Sequence, residues 1–141
     1  MQKENVDLEA IAELLRYHHL PYEDIVTSDV EFITVEENGQ LQGCIGLETY
    51  DKDGLLRSFA VNSNFQGHGI GYRLLEQLVD HCKFSGVSHL HLLTTTAVEY
   101  FREHGFHVAD RSLAPPAITR TTEFDSICPA SAIYMVRELN N

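Results

Sequence analysis

Basic residues are scarce in this chain: 10 Lys and Arg stand against 21 Asp and Glu, a formal net charge of −11 over 141 residues. That shortage excludes a nucleic-acid or anionic-membrane surface, because binding to phosphates is driven largely by Lys and Arg. It also disfavours a strongly acidic substrate unless a local basic patch receives it. Long apolar runs are missing, so no membrane span is expected, and the opening Met-Gln-Lys-Glu-Asn holds no signal-peptide core. Cysteine is sparse and odd in number. Cys44, Cys82 and Cys128 lie far apart, which reads as free thiols in a reducing, cytoplasmic setting. The 8 histidines offer no set with zinc-ligand spacing, so no metal is expected. No cysteine has a histidine partner in a nucleophile motif. Repeats and low-complexity linkers are absent as well. What remains is a single domain over residues 1–141, long enough to bury a sizeable core.

Residues 55–86 organise the rest. Positions 55–61 form a short run rich in Leu, Phe and Val, as a buried strand does, and Asn62-Ser63-Asn64 breaks it. Gln66-Gly67-His68-Gly69-Ile70-Gly71 follows, with a glycine at every second position. From Ile70 the apolar residues fall at Leu74, Leu75, Leu78, Val79 and Cys82, one face of a helix that stops near Lys83 with Gly86 as its cap. A strand feeding a glycine-rich turn into a helix N-terminus makes an anion site, because the first-turn N–H groups are unpaired and the peptide dipoles favour negative charge. Two nucleotide loops fail on spacing. No Lys-Ser/Thr follows the glycines, as a Walker loop needs. The third glycine comes one residue too early for a dinucleotide loop, and the strand beginning at His89 carries no acid.

Taken in order, residues 7–19 space Leu8, Ile11, Leu14 and Leu15 along one helix face, with Asn5 or Asp7 as cap and Pro21 as the stop. Residues 23–30 are a second short helix or an irregular link. A strand at 32–36, an Asn38-Gly39 turn and a strand at 40–50 make a hairpin, and Asp53-Gly54 is the next turn. Further strands are expected at 89–95, 106–110 and 132–138. A short helix spans 97–104 with Gly105 at its end, and 112–130 is a long connection containing Pro115, Pro116 and Pro129. This order predicts a mixed α/β sheet.

Gln66, Gly69 and Gly71 meet the pattern Gln/Arg-x-x-Gly-x-Gly/Ala and so resemble the pyrophosphate loop of the GNAT superfamily, the acetyl-CoA-dependent N-acetyltransferases. Phe59-Ala60-Val61-Asn62-Ser63 and the stretch 99–106 look like segments of the same family. The order of elements is that of the GNAT acyl-CoA N-acyltransferase fold, except that its first strand has only residues 1–5 to occupy and is short or missing. Residues 92–106 and 117–132 further look like the arsenic-resistance-associated N-acetyltransferases, a group thought to act on amino-acid-like amines such as arsinothricin. Their signature is matched by Ile118, Thr121, Phe124, Cys128, Pro129, Ser131 and Ala132.

The resemblance implies acetyl-CoA as co-substrate, a small-molecule amine as partner and, in many members, a homodimer through the late strands. It assigns the backbone of Phe59, Ala60 and Val61 to pantetheine. It assigns the amides of Gln66, Gly67, His68, Gly69, Ile70 and Gly71, with Tyr72 in the first turn, to the pyrophosphate. Thr94 stands where many relatives place an Asn against coenzyme A.

The chemistry needs an uncharged amine, a base to make it so, and an acid for the departing thiolate. Many members use a Tyr four residues before the Gly of the Gly-Phe pair; here that position is Phe101, with Tyr100 rotated by about 100 degrees on the helix. Tyr100 is therefore either the acid or a core residue. Alternation on the 40–50 strand puts Gly46, Glu48 and Tyr50 on one face and Ile45 and Leu47 on the other. Glu48, an acid amid apolar neighbours, is the candidate base, against the alternative of a solvated strand residue. Arg57 in the middle of an apolar strand needs a partner. It either pairs with Glu48 or holds a substrate carboxylate, the role expected here. Arg111 and Arg120 are lesser candidates for the same task. Two other readings stay open: acetylation of a peptide N-terminus, and a non-catalytic acetyl-CoA-binding module, which Phe101 in place of Tyr keeps in view.

Overall fold

The computed structural model describes residues 7–67, 69–127 and 130–139. The short first strand expected at residues 1–5, the loop residue His68 and the signature pair Cys128-Pro129 lie outside them. Helix α1 is Leu8–Tyr17, followed by strands β1 Glu31–Glu37, β2 Gln40–Tyr50 and β3 Asp53–Val61. Helix α2 is Ile70–Ser85, then come β4 His89–Thr94, α3 Val98–Glu103, β5 His107–Val108, α4 Pro116–Thr119 and β6 Ile133–Glu138. The sheet order is β1-β2-β3-β4-β6-β5. β1 runs antiparallel to β2, β3 parallel to β4, and β4 and β5 both antiparallel to β6, so the sheet is mixed. Among the described residues no helix is long and apolar enough to cross a membrane.

Contacts divide the chain into two compact units, Met1–Glu48 with Leu56–His81, and Thr49–Leu55 with Cys82–Asn141. In the first, Ile11, Leu14 and Leu15 of α1 pack with Ile25, Val30, Phe32, Cys44 and Ala60. Ideal Cβ geometry at Gly43 meets Ile70 and Leu74 of α2. Because successive strand residues face opposite ways, Cys44 meets the α1 side and Gly43 the α2 side. Both faces of β2 are therefore covered, and Gln42 to Glu48 are all buried. In the second unit, Leu55 packs with Ala114, Ile118, Phe124, Tyr134 and Val136.

Local signals place most element ends. Asp7 caps α1 by accepting from the Ala10 amide at 3.1 Å. At its other end His19 takes φ +59, Leu20 N–H donates to Leu15 C=O (2.9 Å), and His19 N–H donates to Arg16 C=O (3.1 Å). That paired closure stops the helix before Pro21 is reached. The same long bond, 2.9 Å from Val87 N–H to Cys82 C=O and 3.0 Å from Phe106 N–H to Phe101 C=O, follows Gly86 and Gly105, both left-handed. Asn38 and Gly39 both take positive φ, as the expected two-residue hairpin turn requires.

Three expectations shift. The β2–β3 turn is Asp51-Lys52, not Asp53-Gly54: Asp51 itself takes φ +59, which an Asp tolerates, leaving Asp53 and Gly54 to pair with His89 and Leu90. β5 is only two residues long, because the Asp110 carboxylate accepts from Ser112 N–H (2.9 Å) and starts a tight turn at Arg111–Leu113. The 112–130 connection is not featureless: Pro116 opens α4, and a wide turn follows at Glu123–Ile127. Residues 23–27 form turns, the irregular link of the two alternatives.

Gly46 is needed for space. A Cβ there would lie 2.9 Å from Val30 Cγ1 and 3.1 Å from Phe32 Cε1. Gly46→Ala is expected to cost about 1–3 kcal/mol in a denaturant titration, the usual penalty of overpacking. An unchanged midpoint would remove the steric argument.

Candidate active site

The glycine turn has the geometry of an anion cradle. Asn62 accepts from Asn64 N–H at 3.0 Å and starts a tight turn over Ser63–Phe65; Gln66 Nε2 then donates to Val61 C=O at 3.1 Å. Gly67 and Gly69 take φ +86 and +77, and nothing lies within 4 Å of an ideal Cβ on either. Arg73 N–H donates to Gly69 C=O at 3.0 Å, a bond in the opening turn of α2. The amides of Ile70 and Gly71 come before it in the first turn, at the positive end of a helix of 16 residues. Open space, glycine backbone and first-turn amides together suit a pyrophosphate. Of the strand residues expected against pantetheine, Phe59 and Val61 are half-buried and Ala60 is buried.

Just before them the strand is interrupted. Ser58 takes φ +55, a left-handed conformation uncommon for any residue but glycine. Two contacts hold it: Cys44 Sγ donates to its carbonyl at 3.2 Å, and Arg57 Nε donates to its hydroxyl at 3.1 Å. Burial pushes the Cys44 thiol up to about 12, so no thiolate nucleophile is available there near neutral pH.

Glu48 and Arg57 do come together, with a third residue that the sequence did not mark. Arg57 has no exposed side-chain surface. Its Nη1 donates to Glu48 Oε2 at 2.8 Å and to Asp24 Oδ2 at 2.6 Å, and its Nη2 bonds Asp24 Oδ1. Ser28 Oγ donates to Asp24 Oδ2 at 2.8 Å. Burial alone would raise the Asp24 carboxyl, but the Arg57 guanidinium and the Ser28 hydroxyl outweigh it and hold it below the usual carboxylate value. Of the two roles open to Arg57, this is the pairing role; a substrate carboxylate would have to displace Asp24. Glu48 is 2 % exposed, so it is not a solvated strand residue. Asp24 lies in an irregular segment with no motif of its own. Its only local signal is Ser28 four residues on.

In the second unit, Thr94 closes β4, and its hydroxyl accepts from Ala97 N–H at 3.0 Å ahead of α3. Phe101 is buried and packs edge-on against Phe106, with ring centroids 5.4 Å apart. It is the apolar contact that accompanies the helix closure, so position 101 serves the core. Tyr100 is half-buried and stacks on His104 at 4.4 Å, and burial pushes its phenol above the ordinary value. Arg111 is committed to carbonyls, donating to Phe124 C=O at 3.1 Å and to Ala130 C=O at 3.3 Å. Arg120 is exposed after α4.

The same unit contains a polar chain that the sequence reading missed. His91 is buried between Asp53 Oδ1 (2.8 Å from Nε2) and the Tyr134 hydroxyl (2.7 Å from Nδ1). Asp53 only accepts, so the neutral ring donates from Nε2 and accepts the Tyr134 proton at Nδ1. Burial pushes His91 below 6.5 against the pull of Asp53, and pushes Tyr134 up to about 12. Among the described residues no group of His, Cys, Asp and Glu is arranged to hold a metal ion.

A family model described as "Acetyltransferase (GNAT) family" matches residues 4–106. An amino-acid acetyltransferase of Neisseria meningitidis is 35 % identical over 98 residues, covering 68 % of this chain and 22 % of the relative. The chain spans about a fifth of the length of the curated relatives it matches. N-acetylglutamate synthase from Neisseria gonorrhoeae, in complex with coenzyme A and N-acetyl-glutamate, superposes with a TM-score of 0.83 at 27 % identity, over 100 % of this chain and 35 % of that one. A Mycobacterium tuberculosis protein bound to CoA shares the fold at 21 % identity, with a TM-score of 0.78 over 95 % of both chains.

Two outcomes follow from the buried groups. Arg57→Met strands two carboxylates and is expected to cost about 3–5 kcal/mol; adding Asp24→Asn and Glu48→Gln should recover most of that loss in the same denaturant titration. No recovery in the triple variant would mean that packing, not charge, is at stake. His91 has a depressed folded pKa, so the unfolded chain binds its proton more tightly and acid favours unfolding. The stability involved is fully present above pH 6.5 and is lost as pH falls through the lower folded value. His91→Gln should flatten the decline in stability between about pH 7 and 5. Parallel curves for the two proteins would contradict this.

Proposed function

Because the chain belongs to the GNAT acetyltransferase family, we propose that it moves the acetyl group of acetyl-CoA to the amine of a small amino acid or amino-acid-like compound, by direct attack in a ternary complex. The observation that carries the reading is the β3–loop–α2 turn, where two left-handed glycines with open space meet the first-turn amides of a long helix. The amino-acid relatives and the neighbour bound to coenzyme A and N-acetyl-glutamate support an amino acid as acceptor. The family match ends at residue 106, and the 118–132 signature beyond it supports an arsinothricin-like amine as one acceptor. Buried thiols at Cys44 and Cys82 support a reducing, cytoplasmic setting.

In this reading Gln66, Gly67, Gly69, Ile70, Gly71 and Tyr72 hold the pyrophosphate through backbone amides, which offsets the acidity of the chain as a whole. The strand after Ser58 offers its backbone to pantetheine. Acetyl-CoA supplies an activated acetyl thioester. Glu48 takes a proton from the substrate ammonium and frees its lone pair. The amine nitrogen then bonds the acetyl carbon as the carbon–sulfur bond breaks, and the nitrogen's second proton neutralises the thiolate, with Tyr100 the candidate to relay it.

The test is CoA release from acetyl-CoA across a panel of amino acids and arsinothricin-like or phosphinothricin-like amines, corrected for the protein's own thiols. One amine with strong turnover is the expected result. CoA binding without acetylation of any amine would move the peptide-substrate and non-catalytic readings ahead. Gly69→Val forces a left-handed branched residue into the cradle and should weaken CoA binding about tenfold by calorimetry. Unchanged affinity would place the pyrophosphate elsewhere.

A further inference from the structure

One face of the second unit's sheet is roofed by residues 111–125, and that cover is a single piece. Thr121 joins its halves: its hydroxyl donates to Ile118 C=O at 2.7 Å and accepts from Phe124 N–H at 3.3 Å. Arg111 ties the start of the cover to its end by donating to Phe124 C=O, and its guanidinium carbon lies 5.5 Å from the Phe124 ring centroid. The underside is apolar, with Ala114, Ile118 and Phe124 packed on Leu55, Tyr134 and Val136. In the strand registers His91 stands opposite both Leu55 and Val136, so its ring lies on the covered face. There it stacks on the Tyr134 ring at 5.8 Å, and Phe124 meets the same Tyr134 ring edge-on at 5.7 Å. The cover thus rests on a tyrosine whose hydroxyl donates to His91 Nδ1.

We propose that the Asp53–His91–Tyr134 chain is an acid-sensitive clasp: a proton on His91 reverses its polarity and releases the segment 111–125 from the sheet. With the ring neutral every donor on the chain has an acceptor, since Nε2–H faces Asp53 and the Tyr134 proton goes to Nδ1. A proton from solvent would form its N–H bond at Nδ1, the very atom that accepts from Tyr134. The hydroxyl hydrogen, buried under Phe124, is then left without that acceptor. Lifting the cover lets water serve both groups, so the open form takes the proton and the closed form resists it. Burial is likewise the first cause of the low His91 pKa. The ionisable groups sharing the face with His91 are Asp53 on β3, His89 on β4, Tyr134 and Glu138 on β6, and His107 on β5. The cover adds Arg111, Arg120, Glu123 and Asp125, and Tyr50 packs against the same cluster. Of these, Asp53 favours the His91 proton and His89 opposes it. Arg120 follows α4 on this cover. In the acetyl-transfer reading, on which this consequence alone rests, acid therefore slackens the grip on an acceptor carboxylate and not the hold on CoA.

The deciding experiment is amide hydrogen exchange read by NMR at about pH 7 and about pH 5.5, corrected for the intrinsic rate. Amides bonded inside the cover report its opening: Ile118 to Pro115 C=O, Thr121 to Ile118 C=O and Asp125 to Thr121 C=O. Opening that takes up one proton rises by up to about tenfold per pH unit below 6.5, so their exchange should quicken about fivefold at the lower pH. The ladder amides of β4 should keep their protection. His91→Gln, which takes no proton, should keep the cover equally closed at both pH values. Cover protection that stays constant in the wild type overturns the proposal. Equal quickening of the cover and of β4 overturns it too, because the acid effect is then global unfolding. If His91→Gln does not fold, Ile118→Ala gives the reciprocal measurement in a chain that keeps its histidine. A weaker cover should move the His91 ring titration, followed by nitrogen shifts, up toward 6.5. An unmoved titration overturns the coupling. None of these readouts needs turnover, so they stand or fall apart from the acetyl-transfer reading.

Discussion

A guanidinium with no exposed surface is tolerable only if charge and hydrogen bonds come to it, and the first unit is arranged so that they do. Arg57 belongs to β3, Glu48 to β2 and Asp24 to the link that follows α1, so three elements distant in sequence must meet at one side chain. The link has no regular structure of its own; its course is set by Ile25 and Val30 in the core and by Asp24 on Arg57. The cluster also touches Ser58, whose left-handed backbone ends the regular part of the strand. Beyond Ser58 come the residues read as facing pantetheine, then the glycine turn. One buried cation thereby connects the path of the chain on one side to the shape of β3 on the other.

An acidic protein proposed to bind the anionic pyrophosphate of acetyl-CoA needs a local explanation, and backbone can supply it. With 21 acidic residues against 10 basic ones, the chain as a whole repels phosphates. In the proposed site at the start of α2 the attraction would come from amides and aligned peptide dipoles, which do not appear in any count of charged side chains. Gly67 and Gly69 provide left-handed turns and room, and Ile70 anchors the helix start by burying its side chain.

What could be read in the sequence was whatever depends on neighbours along the chain. The apolar stripe of α2 at Leu74, Leu75, Leu78, Val79 and Cys82 is buried as its spacing requires. Gly86 and Gly105 end helices, and Asn38-Gly39 makes its hairpin. The glycine turn ahead of α2 is likewise a contiguous signal. Where two local signals competed, the sequence misled. Asp53-Gly54 looks like a turn, but Asp51 adopts the left-handed residue's role, and Gly54 is buried against β4 instead. Phe106 to Asp110 looks like a full strand, yet the Asp110 side chain diverts the backbone after Val108. Asp24 and the Asp53–His91–Tyr134 chain were beyond reach for a different reason. Each is a contact between residues 33 to 43 positions apart, and nothing in the local pattern names the partner.

Position 58 carries a cost that most strand positions do not. A β-branched residue, the ordinary choice for a buried strand, is the type least able to adopt the left-handed backbone found there. Glycine and asparagine adopt it most easily, but neither would reproduce the Ser58 hydroxyl beneath Arg57 Nε. Substitution at this site is thus squeezed between two filters, one acting on the main chain and one on the side chain. A mutational scan of β3 would find its narrowest tolerance at a small, unremarkable serine rather than at the large apolar residues around it.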